Sequence, residues 1–300
     1  MKLDWKQPVV IATGLMFIII AILFEPVFFG GKTFGSPDSL SPKAIGIALN
    51  ELSDTSGELP QWQPWVFSGM PTAEAFTSLS KLYFPQYLFK LFFLPGMMIQ
   101  LLHLLFAGIG GFLLLRHFKC SEWAAGLGAA AFMITPYMVT MVVFGHGSQM
   151  MTAAYIPWIV WFTVRLWQNP STWNMGWLAL LLGFQLQRAH AQIAYYTWML
   201  IGAYSLLILI NGIRIKGDRS ILGKGFGLFV FACILGVGLS LLIYLSAMEY
   251  TPFSVRGGSA GGGADYNYAT GWSFHPKEIL TFFIPSAFGF GGQPYWGYMP

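Results

Sequence analysis

The sequence predicts an all-α, polytopic membrane protein, and three features of its composition lead to this class. First, 55% of the 300 residues are hydrophobic and only 9% are charged, whereas soluble domains carry about 25% charged residues. Second, aromatic residues make up 17% of the chain, which is typical of membrane interfaces. Third, the hydrophobic residues occur in long runs, and a helix needs about 20 apolar residues to cross a bilayer.

Eight apolar segments are predicted to cross the membrane as one transmembrane domain. They cover residues 8–29, 95–115, 123–144, 150–167, 172–186, 192–210, 225–247 and 278 onward. A large polar loop, 30–94, follows the first segment, and a Gly-rich loop spans 248–276. Pro136 predicts a kink in the third segment, because proline removes a backbone donor. Since the chain stops soon after the eighth segment begins, we expect it to be the amino-terminal part of a longer protein.

Basic residues in the short loops predict a cytosolic N-terminus, because Lys and Arg are enriched on the cytosolic side of membrane proteins. In that orientation the cytosolic set is Lys2, Lys6, Arg116, Lys119, Arg165, Arg214, Lys216, Arg219 and Lys224. Most acidic residues and both long loops then lie on the extracytoplasmic face. We expect an uncleaved first span, since no small-residue cleavage site follows the N-terminal apolar run.

Several function classes are excluded by what the sequence lacks. The net charge of +4 reflects the loop bias and not a nucleic-acid-binding surface. Cys120 and Cys233 are far apart in the chain, so neither a disulfide framework nor a thiol metal site is indicated. The glycine run 257–263 lacks the Gly-Lys-Ser/Thr ending of a phosphate-binding P-loop.

An acidic residue, Asp38, stands near the start of the first polar loop. A carboxylate at the membrane surface is suited to act as a general base, or to hold a divalent cation against a phosphate. The alternative is a helix N-cap or turn residue, because the surrounding Ser-Pro-Asp-Ser run has turn chemistry. The position alone leaves both interpretations open.

Further polar residues are predicted at the same membrane face. His146 lies between two glycines in a short outer turn, where it is suited to bind a phosphate or a metal. On a continuous helix the spacing of Gln185, Arg188 and Gln192 would place them on one shared face, and His190 lies beside them. Ionisable groups at the end of an apolar segment usually face the bundle or water. Alternatively, Arg188 extends to the interface, and His146 is an ordinary turn residue.

Arg256, just before the glycine run, is a candidate phosphate clamp. A guanidinium group matches two phosphate oxygens at once. The alternative is a solvated loop charge.

Taken together, the motifs resemble the amino-terminal part of the YfhO-like family of bacterial multi-pass membrane proteins. The likeness covers nearly the whole chain. It is carried by Gly35-Ser36-Pro37-Asp38, the run from Pro60 to Pro71, Tyr83-Phe84-Pro85, Gly145-His146, Tyr155-Ile156-Pro157-Trp158, the run from His190 to Tyr196, Ser254-Val255-Arg256-Gly257-Gly258, the run from Pro276 to Pro285 and Phe288-Gly289.

The resemblance implies a GT-C-like helix bundle in the bacterial cytoplasmic membrane. Its substrates would be a polyprenyl-phosphate-linked sugar, embedded in the membrane lipid, and a cell-envelope glycan or polymer as acceptor. Asp38 stands where such enzymes carry their catalytic acidic residue. No second acidic residue follows closely, so a divalent cation stays an open alternative.

These expectations combine into one functional hypothesis, an inverting sugar transferase on the extracytoplasmic side. Asp38 would deprotonate or orient the acceptor hydroxyl, and Arg256, assisted by His146 or Arg188, would neutralise the carrier phosphate. His190 and Gln192 would complete the substrate site. Two other hypotheses remain: a transporter or flippase of envelope precursors, and a non-catalytic scaffold for envelope assembly.

Overall fold

The computed structural model divides the chain into two compact units, Met1–Leu245 and Ser246–Pro300. The residues it describes are 6–58, 60–66, 68–72, 82–215, 217–254, 266, 270–271, 273–284, 286–289 and 295–298. The chain is predominantly helical, which confirms the predicted helical class. A single antiparallel pair of two-residue strands, β1 (Trp62–Gln63) and β2 (Met70–Pro71), lies among these residues.

The α-helices follow one another closely along the chain. In order they are α1 (Lys6–Leu23), α2 (Glu25–Phe28), α3 (Pro37–Ser56), α4 (Gln86–Leu91), α5 (Gly96–His117), α6 (Glu122–Met133), α7 (Pro136–Val143), α8 (Gly147–Ala154), α9 (Ile156–Gln168), α10 (Thr172–Gln187), α11 (Ala191–Arg214), α12 (Arg219–Gly238) and α13 (Leu241–Tyr250).

Four helical stretches are long and apolar enough to span a membrane: α5, α11, α12 and the pair α6–α7. A shorter apolar helix covers Gln7–Leu23. Large aliphatic side chains on these helices are exposed, among them Leu206 and Ile234. Apolar surface of this kind is suited to lipid and unfavourable in water. These findings support a membrane protein.

Several predicted segments are interrupted, and the sequence explains the interruptions. The third one breaks before Pro136, as predicted, because proline cannot donate to the preceding turn. Thr135 caps the new helix by accepting a hydrogen bond from the backbone N–H of Met138 at 3.4 Å. The fourth breaks at Tyr155, since Pro157 stands in the first turn of α9. The first predicted segment is also divided, near Phe24, and the seventh is divided between α12 and α13.

The segment predicted from residue 278 onward does not continue as an α-helix in the described residues. A 3-10 helix, Pro276–Phe282, stands there. Its Glu278 is buried and accepts hydrogen bonds from the Tyr295 hydroxyl, at 2.6 Å, and from the backbone N–H of Tyr298. These bonds tie residues 295–298 to the 3-10 helix within the second unit.

Close helix packing in the first unit depends on small residues, as in many membrane bundles. Helix α10 has its most extensive helix contact with α12. Where the two meet, a Cβ added to Gly236 would lie 2.8 Å from Leu182 Cβ. A Cβ added to Gly183 would lie 3.3 Å from the Gly236 carbonyl oxygen. Side chains are therefore absent where the two backbones approach.

Side-chain contacts join helix ends at two places in the first unit. At one end the C-terminal parts of α5 and α9 meet, where His117 Nε2 lies 2.8 Å from Gln168 Oε1. The N-terminal ends of α3 and α8 meet elsewhere, through Asp38 and His146. We call this second end, which also carries Arg188 between α10 and α11, the site end.

Candidate functional site

Asp38 and His146 form an ion-pair contact at the site end. The distance from His146 Nε2 to Asp38 Oδ2 is 3.4 Å, and both side chains remain accessible, 49% for His146 and 65% for Asp38. Asp38 lies in the first turn of α3, and His146 immediately precedes α8. Local signals fix both positions, because Ser36 and Pro37 start α3 and the left-handed φ of Gly145 turns the chain after α7.

Two other acidic residues of the first loop, Glu51 and Asp54, lie far from this pair. Glu51 and Asp54 belong to the C-terminal half of α3. Since an α-helix rises about 1.5 Å per residue, Glu51 lies roughly 20 Å along the axis from Asp38. No group of three or more His, Cys, Asp or Glu side chains that could hold a metal occurs in the described part of the chain.

Two further polar groups line the surroundings of His146. The Gln100 side chain lies beside Gly147, within 2.4 Å of where a Cβ would stand, and its buried Oε1 has no hydrogen-bond partner among the described residues. The pKa of His190 is below its usual range because burial disfavours the imidazolium, and the charge of nearby His146 lowers it further. His190 is therefore predominantly neutral at neutral pH.

Arg188 lies deeper at the site end and has no acidic partner. Among the described residues it forms no ion pair, and its Nε has no hydrogen-bond partner. Its guanidinium lies over the Tyr83 ring, 4.5 Å from the centroid. Burial lowers the pKa of Arg188, although an arginine remains charged at physiological pH.

The continuous helix that would place Gln185, Arg188 and Gln192 on one face does not form. Helix α10 ends at Gln187, and the left-handed φ of Ala189 (55°) turns the chain before α11 begins. Gln185 is therefore fully buried, and its Nε2 donates to Thr152 O at 3.2 Å and to Thr197 Oγ1 at 2.9 Å. Gln192 is exposed and donates to the Tyr196 hydroxyl at 2.9 Å.

A buried polar cluster under Arg188 was not predicted from the sequence. The Tyr83 hydroxyl lies 2.7 Å from His103 Nε2 and also contacts the Tyr155 hydroxyl. Burial raises the pKa of Tyr83 to about 12, so its hydroxyl stays protonated. A histidine inside an otherwise apolar span such as α5 is a signal that could have revealed this cluster, because such residues rarely face lipid.

The structure thus brings together Asp38 and His146, and it places Arg188 and His190 at the same end. Arg256 lies outside the described residues, so its predicted role as a clamp stays a prediction. A comparison of the chain with protein-family models, curated proteins and solved structures finds no match. The geometry therefore carries the functional argument.

Proposed function

We propose that this chain is the core of a membrane glycosyltransferase with a GT-C-like bundle and a large first extracytoplasmic loop. It would take a sugar from a polyprenyl-phosphate carrier and transfer it to a cell-envelope glycan or polymer. The proposed location is the bacterial cytoplasmic membrane, with the N-terminus in the cytosol and the site end outside. The motif resemblance supports this assignment, together with the observation that follows.

One observation carries the proposal: Asp38 and His146 lie 3.4 Å apart and accessible at the site end. Asp38 belongs to α3, whereas His146 immediately precedes α8, so the contact depends on the tertiary fold. A carboxylate paired with an imidazole is an arrangement suited to general-base chemistry. An exposed pair of this kind contributes only about 0–1 kcal/mol to folding stability. A stabilising role alone therefore explains little of why the two side chains are paired.

In the proposed reaction Asp38 accepts the proton of the acceptor hydroxyl. The acceptor oxygen attacks the anomeric carbon of the donor sugar, and the bond from that carbon to the carrier phosphate oxygen breaks. The phosphate leaves with the electron pair, and the configuration at the anomeric carbon is inverted. His146 orients the Asp38 carboxylate during the proton transfer. General-base assistance contributes typically about 10²–10⁴-fold.

The cationic groups would stabilise the leaving phosphate. Arg188 has no carboxylate partner in the described residues, so its charge is available to an anionic ligand. Arg256 is proposed as a second clamp, and His190 and Gln192 as contacts to the sugar or the acceptor. Among the described residues Asp38 contacts one ionisable side chain, that of His146, so a divalent cation is proposed to take its other ligands from the substrate.

The test is a transfer assay with purified protein in proteoliposomes, given a polyprenyl-phosphate sugar labelled in the sugar. We expect labelled acceptor glycan and an equal amount of released polyprenyl phosphate. Intact labelled lipid appearing in the opposite leaflet, without release, would instead identify a flippase. If the assay detects neither sugar transfer nor movement of the lipid, the transferase proposal is refuted and the scaffold hypothesis remains.

A further inference from the structure

The buried cluster beneath Arg188 has a direction that its hydrogen bonds define. His103 Nδ1 lies 2.7 Å from the carbonyl oxygen of Ile99, which only accepts, so Nδ1 carries the hydrogen. Nε2 of the neutral ring then accepts from the Tyr83 hydroxyl. The Tyr83 oxygen in turn accepts from the Tyr155 hydroxyl. The chain of donors therefore runs from Tyr155 through Tyr83 to His103.

This arrangement fixes the Tyr83 ring without adding a negative charge. Tyr83 is 1% exposed, and both bonds of its hydroxyl are made to buried side chains. The guanidinium of Arg188 thus lies over a neutral, immobilised aromatic face. Such a contact attracts a cation through the ring quadrupole. Unlike a carboxylate, it leaves the positive charge uncompensated.

The backbone next to both residues is held as well. The N–H of Phe84 donates to Gln187 Oε1 at 3.1 Å, and Gln187 Nε2 donates to the carbonyl oxygen of Leu239 at 2.8 Å. The segment that carries Tyr83 is therefore bonded to the residue that precedes Arg188. Two adjacent residues of the first loop therefore hold the region of Arg188: Tyr83 contacts its guanidinium, and Phe84 bonds to the side chain of the preceding residue, Gln187.

We propose that Tyr83 is a positioning residue that holds Arg188, which forms no ion pair in the described part of the chain, as the cation that binds the phosphate of a polyprenyl carrier. This inference rests on the proposed function, because that function supplies the anion. Tyr83 acts through Arg188 and does not itself touch the phosphate. His103 and Tyr155 anchor the Tyr83 ring, and the ring sets where the guanidinium stands.

The test compares Tyr83→Phe, which keeps the ring, with Tyr83→Leu, which removes it. Tyr87→Leu is a matched control, since Tyr87 lies in the same loop with Lys90 Nζ 4.9 Å from its ring centroid, but is exposed. Binding of polyprenyl phosphate, with uncharged polyprenol as reference, is measured in nanodiscs alongside thermal unfolding. Losing one cation–π contact of ordinary strength weakens binding by roughly tenfold.

We expect Tyr83→Leu to weaken polyprenyl phosphate binding by about tenfold, with polyprenol binding unchanged. Tyr87→Leu should stay close to wild type. Tyr83→Phe keeps the ring but loses the hydroxyl bonds that anchor it, so its binding should fall between wild type and Tyr83→Leu. In transfer assays Tyr83→Leu should raise KM for the carrier sugar and change kcat much less. A Tyr83→Leu protein that binds polyprenyl phosphate as wild type does, or loses both ligands equally along with thermal stability, would overturn the positioning role. If phosphate binding behaves as expected but no variant or wild type transfers sugar, the transferase proposal fails and the positioning role stands.

Discussion

Replacing Asp38 by Asn separates the catalytic role of this residue from any structural one. The Asp38–His146 contact is 3.4 Å long and both side chains are accessible, and exposed pairs of this kind contribute about 0–1 kcal/mol to stability. Asn keeps the shape of Asp, and losing one negative charge in the first turn of α3 costs about 0.3–1 kcal/mol. Thermal unfolding should therefore change very little.

The effect of Asp38→Asn on transfer should be far larger. Loss of a general base costs about 10²–10⁴-fold in rate, or roughly 3–5 kcal/mol of transition-state stabilisation. The assay follows polyprenyl phosphate released from a labelled carrier sugar in proteoliposomes. Glu51→Gln is the matched control, because Glu51 is an exposed carboxylate on the same helix, about 20 Å away along its axis. Transfer by Asp38→Asn within threefold of wild type would refute the general-base assignment.

Three other predictions concern packing, pH and topology. Gly236→Ala places a Cβ 2.8 Å from Leu182 Cβ and should destabilise the fold by about 1–3 kcal/mol. Gly227→Ala is the control, because a Cβ there has nothing within 4 Å, and it should not destabilise the fold. Unfolding of the two variants in detergent measures the difference. The folded pKa of His190 is depressed by burial, so its contribution to stability is present above the unfolded value of about 6.5 and is lost as the pH falls through the folded pKa. Thermal stability should thus drop on acidification from pH 7 to pH 5, and His190→Gln should flatten that drop; an identical pH profile in the variant would contradict it. In a background without Cys120 and Cys233, a cysteine replacing Glu51 should react with an impermeant thiol reagent added outside intact cells, and labelling only after lysis would reverse the proposed orientation.

The sequence was sufficient for the helical class. Four of the eight predicted segments coincide with helices that are long and apolar enough to span a membrane, because apolar run length determines both. The sequence also placed the break before Pro136, where proline and a capping Thr135 act locally. It did not predict that 276–282 forms a 3-10 helix. It placed Gln185 and Gln192 in separate segments, but it did not predict the left-handed turn at Ala189 between them. The helix periodicity used there holds only within one uninterrupted helix.

The candidate site was only partly predictable for a related reason. Asp38 and His146 were each selected from the sequence, but their contact joins distant parts of the chain, and no local pattern encodes it. The sequence has no second acidic residue close to Asp38, and in the structure the ionisable side chain in contact with Asp38 is that of His146. Tyr83 and Tyr155 had appeared only as parts of family-like motifs. Their burial around His103 depends on how the first loop enters the bundle.

The central claim is that Asp38 and His146 act as one catalytic unit, and a double-mutant cycle on transfer rate tests it most directly. The four proteins are wild type, Asp38→Asn, His146→Gln and the double variant, each assayed with the same polyprenyl-phosphate sugar. Groups that act as a unit show strongly non-additive losses. We predict that the double variant is no slower than Asp38→Asn alone. Losses that multiply, with each substitution exerting its full effect in the absence of the other, would contradict the account.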